Sequence, residues 1–160
     1  MSVSFWRFEM PISSLKHGIW ILVADGARAL LMRNDGSPLK PKFTLIRRYQ
    51  QENPPTREQG TDRPGRTNDA VGHKSAMEET DWHQLAEDRF VREMADVLST
   101  AYNRHEFDAL VIAAPPTALG EMRKALPGQI RDHVVSEINK DLTHLEVRDL
   151  QEVIAKHIGS

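Results

Sequence analysis

The stretch IWILVADGARALLMR, residues 19–33, decides the reading of the fold. Ile19-Trp20-Ile21-Leu22-Val23 is an unbroken run of apolar β-formers, the pattern of a strand covered on both faces. Asp25-Gly26 follows, and Asp-Gly at the centre of a two-residue loop predicts a hairpin because both residues tolerate positive φ. Residues 28–33 then return as a second strand.

Outward from this hairpin, Asn34-Asp35-Gly36-Ser37-Pro38 is a turn cluster. Residues 43–49 alternate Phe43, Leu45, Arg47 and Tyr49 against Thr44, Ile46 and Arg48, which predicts a third, less buried strand. Asp81 with Gln84 three residues on forms a capping-box pattern, opening a helix to about residue 104 whose apolar face carries Ala86, Phe90, Met94, Val97 and Ala101. Ala109 to Ala113 reads as a buried strand stopped by Pro115-Pro116. Thr117 is the expected cap of a helix through Leu126, ended by Pro127-Gly128. A short strand at 133–138 and a last helix opened by Thr143 and Glu146 complete the chain. The order β-β-β, loop, α, β, α, β, α predicts an α/β fold: one mixed, roughly five-stranded sheet flanked by helices. The early strands are antiparallel and the later ones parallel.

At 160 residues with 39% hydrophobic content, the chain suits one domain with its own core. We place that domain at 16–160, after a poorly ordered extension at 1–15 in which Met10 is a candidate biological start. A net charge of −2 argues against nucleic-acid binding by the whole surface, so any phosphate contact must come from a local cluster. The absence of cysteine excludes disulfides, thiolate metal sites and cysteine nucleophiles. Residues 19–24 after Arg7, Lys16 and His17 imitate a short signal peptide, but the hairpin explains them better. No run approaches the roughly 18 apolar residues of a membrane span. The expectation is a cytoplasmic protein without membrane partners.

Residues 51–80 form the longest polar stretch, interrupted throughout by proline and glycine. We expect a long exposed loop there, about twice the roughly 12–15 residues beyond which structureless connections become rare unless functional or disordered. Arg57, Arg63, Arg66 and Lys74 stand beside Gly60, Gly65 and Gly72, a mix suited to gripping phosphates, although Glu52, Glu58, Asp62, Asp69, Glu78 and Glu79 prevent a simple reading as a basic arm. On composition alone, a solvated, disordered insertion is the simpler reading.

Other candidates are weaker. Asp25 ends the first strand, where a metal-binding carboxylate would need a second acid converging on it, and its turn role explains it fully. The seven histidines show no metal-ligand spacing, and no metal or other cofactor is expected. The segment from Pro115 to Gly120 places a helix start just past a buried strand, which suits either an anion site or a plain β–α turn.

Taken together, WILVADGARA at 20–29, GTDRPGR at 60–66, RFVREMA at 89–95, LVIAAPP at 110–116 and DLT at 141–143 resemble the bacterial family named "protein required for attachment to host cells". That family is in turn similar to the catalytic middle domain of archaeal and eukaryotic peptide-chain release factors, a fold of ribonuclease H-like order. The resemblance implies a ribosome- or tRNA-associated factor, with Arg57, Arg63, Arg66 and Lys74 on RNA phosphates and a role in translation rescue. It also implies peptidyl-tRNA hydrolysis by a Gly-Gly-Gln loop. Gly72-His73-Lys74-Ser75 occupies the similar place, matching the first Gly and a following Ser but not the second Gly or the Gln. The alternative is a non-enzymatic module that acts in attachment indirectly, through a cytoplasmic protein partner.

Overall fold

The computed structural model describes residues 15–51 and 68–159, without the side chains of 68–80. Its elements are β1 (Trp20–Ala24), β2 (Arg28–Asn34), β3 (Phe43–Gln50), α1 (Asn68–Asn103), β4 (Leu110–Ala113), α2 (Pro116–Ala125), α3 (Gly128–Arg131), β5 (Val134–Ile138) and α4 (Val147–Gly159). The five strands form one sheet in the order β3-β2-β1-β4-β5. β1, β2 and β3 pair antiparallel, whereas β1–β4 and β4–β5 are parallel. This is the mixed, helix-flanked α/β sheet expected from the sequence.

Both faces of the sheet are covered, which is why β1 has no polar position. Trp20, Leu22 and Ala24 join Leu31, Leu110 and Ile112 beneath Phe90, Met94 and Leu98 of α1 and Leu119 and Met122 of α2. Ile19, Ile21 and Val23 join Met32, Val111 and Ala113 beneath Leu150 and Ile154 of α4. Burial of each of the large aliphatic side chains contributes about 1.5–3 kcal/mol, so the central strands anchor both layers. Of the expected N-terminal extension, only Leu15 lies among the described residues, and it is buried on the α4 face. Met10 lies outside them.

The β1–β2 hairpin forms as expected, by a different device. The Asp25 N–H donates to the Arg28 carbonyl at 2.9 Å, so the two loop residues are Gly26 and Ala27, not Asp-Gly. Neither has positive φ; among the described residues only Gly18 (φ 88°) and His105 (φ 61°) do. Asp25 Oδ1 instead holds the turn by accepting from the N–H groups of Ala27 and Arg28, each at 2.8 Å. Gly26 is small for a packing reason: a Cβ there would stand 2.6 Å from Glu87 Cγ of α1.

Strict alternation in β3 fails. Met32 pairs with Leu45 and Leu31 with Arg47, so Ile46 is an extra, bulged residue. Phe43 and Leu45 pack on the α4 side, whereas Tyr49 packs on the α1 side. A bulge flips the phase of every later side chain, which a fixed two-residue period could not anticipate.

The expected loop to residue 80 is also corrected, since α1 already runs from Asn68 and spans 36 residues. Asp81 and Gln84 therefore lie inside the helix rather than at its start. Extending an existing helix avoids the cost of nucleation, and Ala70, Ala76, Met77, Glu78 and Glu79 favour propagation enough to carry Gly72. Thr117 does not cap α2, which has Pro115 at its N-cap and no side-chain capping bond; Pro116 suits the first helical position because its missing N–H needs no partner there. Pro127-Gly128 opens the one-turn α3 instead of merely ending a helix. Thr143 does not open α4, which starts four residues later.

Candidate functional site

The carboxyl ends of the parallel strands β1, β4 and β5 are where an open α/β sheet gathers its functional groups. Three chain segments meet there. Asp25 ends β1, Pro115 precedes α2, and the loop after β5 brings in Asp141 and Thr143. The Thr143 hydroxyl donates to Asp141 Oδ1 at 2.7 Å and lies 3.2 Å from Asp25 Oδ2, while the Thr143 N–H donates to Asp141 Oδ1 at 3.1 Å. Arg28 approaches Asp25 Oδ2 at 3.8 Å. Burial pushes the Asp141 carboxyl up, but the Thr143 hydroxyl and N–H together with His144 and Arg28 outweigh it and hold the group below its ordinary value. Asp25 thus keeps the turn role read from the sequence and adds a tertiary one. Among the described residues, no three His, Asp or Glu side chains are grouped so as to hold a metal ion.

Beside this cluster a cavity of about 290 Å³ opens between the hairpin, α1 and the start of α2. Asp25, Glu87 and Asp88 line it together with Gln84, Pro115 and Thr117. The first backbone N–H groups of a helix attract anions, but three carboxylates in the same cavity oppose a phosphate. Of the two readings of residues 115–120, the plain β–α turn fits this charge better. An ion pair of Arg92 with Glu121 at 3.3 Å joins α1 to α2.

The residues proposed for phosphate contact fall elsewhere. Arg57, Arg63 and Arg66 lie outside the described residues. Gly72, His73, Lys74 and Ser75 have helical backbone within α1, so they follow one another at about 100° around a single turn rather than forming a loop tip. They stand N-terminal to Gln84, which lines the acidic cavity, by about 15 Å of helix at Lys74.

A second polar cluster lies at the opposite, amino ends of β1 and β4. His133 Nδ1 donates to the Asp108 carbonyl at 2.9 Å, which leaves Nε2 to accept from the Tyr102 hydroxyl at 3.0 Å. Tyr102 and Asp108 line a cavity of about 650 Å³ with Lys16, His17 and His105. Sequence reasoning missed this pair, because residues 31 positions apart carry no local signal. It also missed the role of Asn34, whose side chain is fully buried. The Asp-x-Thr spacing at 141–143 was a legible signal for a side-chain-held turn.

A family model described as bacterial archaeo-eukaryotic release factor family 12 matches residues 18–154. Among solved structures, the crystal structure of an archaeal translation termination factor, aRF1, aligns with a TM-score of 0.41 and 9% identity. That alignment covers 93% of this chain and 38% of the archaeal one, so this chain spans well under half of its length. No curated protein matches. The family match takes in all five strands, α1 to α3 and the Asp25–Thr143 contact, and on that extent the chain belongs to bacterial archaeo-eukaryotic release factor family 12.

Proposed function

We propose that this protein is a cytoplasmic ribosome- or tRNA-associated factor that contacts RNA through residues 57–75, with a role in rescue of stalled translation. The observation that carries the reading is the release-factor family match across 18–154. Arg57, Arg63 and Arg66 precede α1 directly in sequence and Lys74 lies in its early turns, so four cations, interspersed with Glu58, Asp62 and Asp69, lead onto a helix that continues into the core. Such a cluster supplies the phosphate contacts that a net charge of −2 denies to the surface as a whole. The reading assigns binding rather than hydrolysis to Gly72-His73-Lys74-Ser75, which lacks the second Gly and the Gln of the release-factor pattern. No described helix is long and apolar enough to cross a membrane.

The test is co-sedimentation with ribosomes at low and moderate salt, wild type beside Arg63→Ala/Arg66→Ala/Lys74→Ala. The expected result is binding that weakens steeply with salt and is lost in the triple variant. No binding at low salt by folded protein would sink the reading.

One observation favours a second reading, an interaction module acting indirectly in attachment to host cells through a cytoplasmic protein partner. Trp82 and Leu85 are 48% and 59% exposed, one turn apart on α1. Salt-insensitive capture of a protein partner, lost in Trp82→Ala/Leu85→Ala, would favour this reading over the first.

A further inference from the structure

The outer edge of the sheet carries a cluster of exposed cations. Residues 36–51 hold Lys40, Lys42, Arg47 and Arg48 and no acid, in a chain whose net charge is −2. All four are exposed. None forms an ion pair with another described residue, whereas Lys16, Arg28, Arg33, Arg92, Arg123 and Lys124 each do. Unlike those six, the four cations have no ion-pair partner among the described residues.

The bulge at Ile46 sets their directions. It places Arg47 opposite Leu31, on the α1 side, and Arg48 opposite Leu30, on the α4 side. The two guanidinium groups therefore straddle the strand edge. Arg47 lies 5.5 Å over the Tyr49 ring, which holds its planar face in place. Behind Arg47 a groove of about 410 Å³ runs between β3 and α1, floored by Trp20 and Leu31 and bordered by Tyr49 and Arg104. Asp96 and Glu106 also border that groove, so a polyanion would follow the outer edge while the groove offers room to one unstacked base. β3 ends at Gln50, one residue from the segment that leads to Arg57, Arg63 and Arg66.

We propose that the β3 edge is a second RNA-contact surface, on which Lys40, Lys42, Arg47 and Arg48 bind the phosphates of a single-stranded RNA. The proposal rests on the translation reading above and extends its contact from 57–75 to a strand of the sheet. Unpaired cations of this kind release counterions on binding, and the salt slope for single strands is about 0.7 per phosphate neutralised. Arginine forks add bidentate contacts that lysine cannot reproduce.

The test is fluorescence anisotropy with a fluorescein-labelled oligouridylate, using the full chain between about 50 and 200 mM salt. Arg47→Ala/Arg48→Ala should weaken binding and make the salt slope shallower by about 1.4, the loss of two contacts. Arg47→Lys/Arg48→Lys should restore the slope with only part of the affinity, which a folding defect would not do. Arg63→Ala/Arg66→Ala/Lys74→Ala is measured in parallel. If that variant shows a shallower slope while Arg47→Ala/Arg48→Ala does not, this proposal is overturned and the translation reading stands. RNA binding unchanged in Arg47→Ala/Arg48→Ala together with new self-association would overturn it too, because the arginines would then only protect a sheet edge from pairing. Loss of binding to a poly-glutamate peptide with RNA binding retained would overturn it in favour of an acidic protein partner.

Discussion

The Thr143 hydroxyl stands 3.2 Å from Asp25 Oδ2 and joins residues 118 positions apart. Thr143 is 9% exposed, so its oxygen has little water to replace these partners. The hydroxyl carries one proton, which the shorter 2.7 Å distance assigns to Asp141. Thr143→Val keeps the shape and removes the donor. Its expected cost is about 1–2 kcal/mol, since hydrogen bonds to charged groups are worth more than neutral ones. The Asp141 carboxyl should also rise toward its ordinary value. Chemical denaturation gives the first quantity and side-chain carboxyl NMR across acid pH the second; an unchanged Asp141 titration would show that Thr143 does not govern it.

Asn34 stitches the β2–β3 connection to the chain start. Its Nδ2 donates to the Leu15 carbonyl at 2.7 Å, and its Oδ1 accepts from the N–H groups of Gly36 and Lys42 at 2.9 and 2.8 Å. Asn34→Ala strands the buried Leu15 carbonyl and the half-buried N–H groups of Gly36 and Lys42. We expect a loss of about 2–3 kcal/mol, and an unfolding midpoint within experimental error of wild type would refute it. Asn34→Asp should do little better, because the carboxylate cannot donate to the Leu15 carbonyl.

Arg33 and Asp35 predict a pH effect. Arg33 Nε donates to Asp35 Oδ1 at 2.6 Å. This bond and a second from Thr44 outweigh the opposing effect of burial and, with lesser help from the charges of Arg33 and His17, lower the Asp35 carboxyl to about 2. A carboxyl lowered on folding stabilises the protein above its unfolded value near 4, and that contribution is lost as pH falls toward 2. Asp35→Asn should therefore flatten the fall of melting temperature between those limits. The effect should shrink in high salt, since the pair is exposed. Parallel melting curves of wild type and variant, taken as pH falls, decide it.

His105 closes α1 in the left-handed region, with φ 61°. The Glu106 N–H reaches back to the Ala101 carbonyl at 3.0 Å, the long bond of a glycine-type helix end. His105→Gly removes the Cβ strain and should stabilise by about 0.5–1 kcal/mol, less any entropy gained by the unfolded chain. Hydrogen exchange of the last turn of α1 should slow with it. Destabilisation instead would mean that the His105 ring makes a contact worth more than the strain.

Legibility followed the range of the forces involved. The central hairpin, the buried run at β4 and the mixed sheet could be read from 19–33 and 109–113, because burial on both faces removes every polar residue and leaves a local mark. The start of α1 could not. Residues 68–80 look polar and broken by Gly72, yet they extend a helix that packing of Phe90, Met94 and Leu98 has already nucleated. The bulge at Ile46 left no local mark either, because alternation reads equally well through it. Of the candidate phosphate contacts, Lys74 could be named from its polar, glycine-bearing neighbourhood, but not its place on a helical turn.

By itself the sequence determined the number of strands, their parallel or antiparallel sense and the likeness to release factors, though not the host-attachment name, since periodicity, turn residues and short matched segments are properties of neighbouring positions. Only the tertiary structure decided which charges meet. It brought Asp25 to Thr143 and Tyr102 to His133, set Glu87 and Asp88 against the start of α2, and turned Arg47 and Arg48 to opposite sides of an open edge. Electrostatic and hydrogen-bond energies depend on distances of a few ångströms between residues far apart in the chain, and those distances exist only once the sheet has closed on its helices.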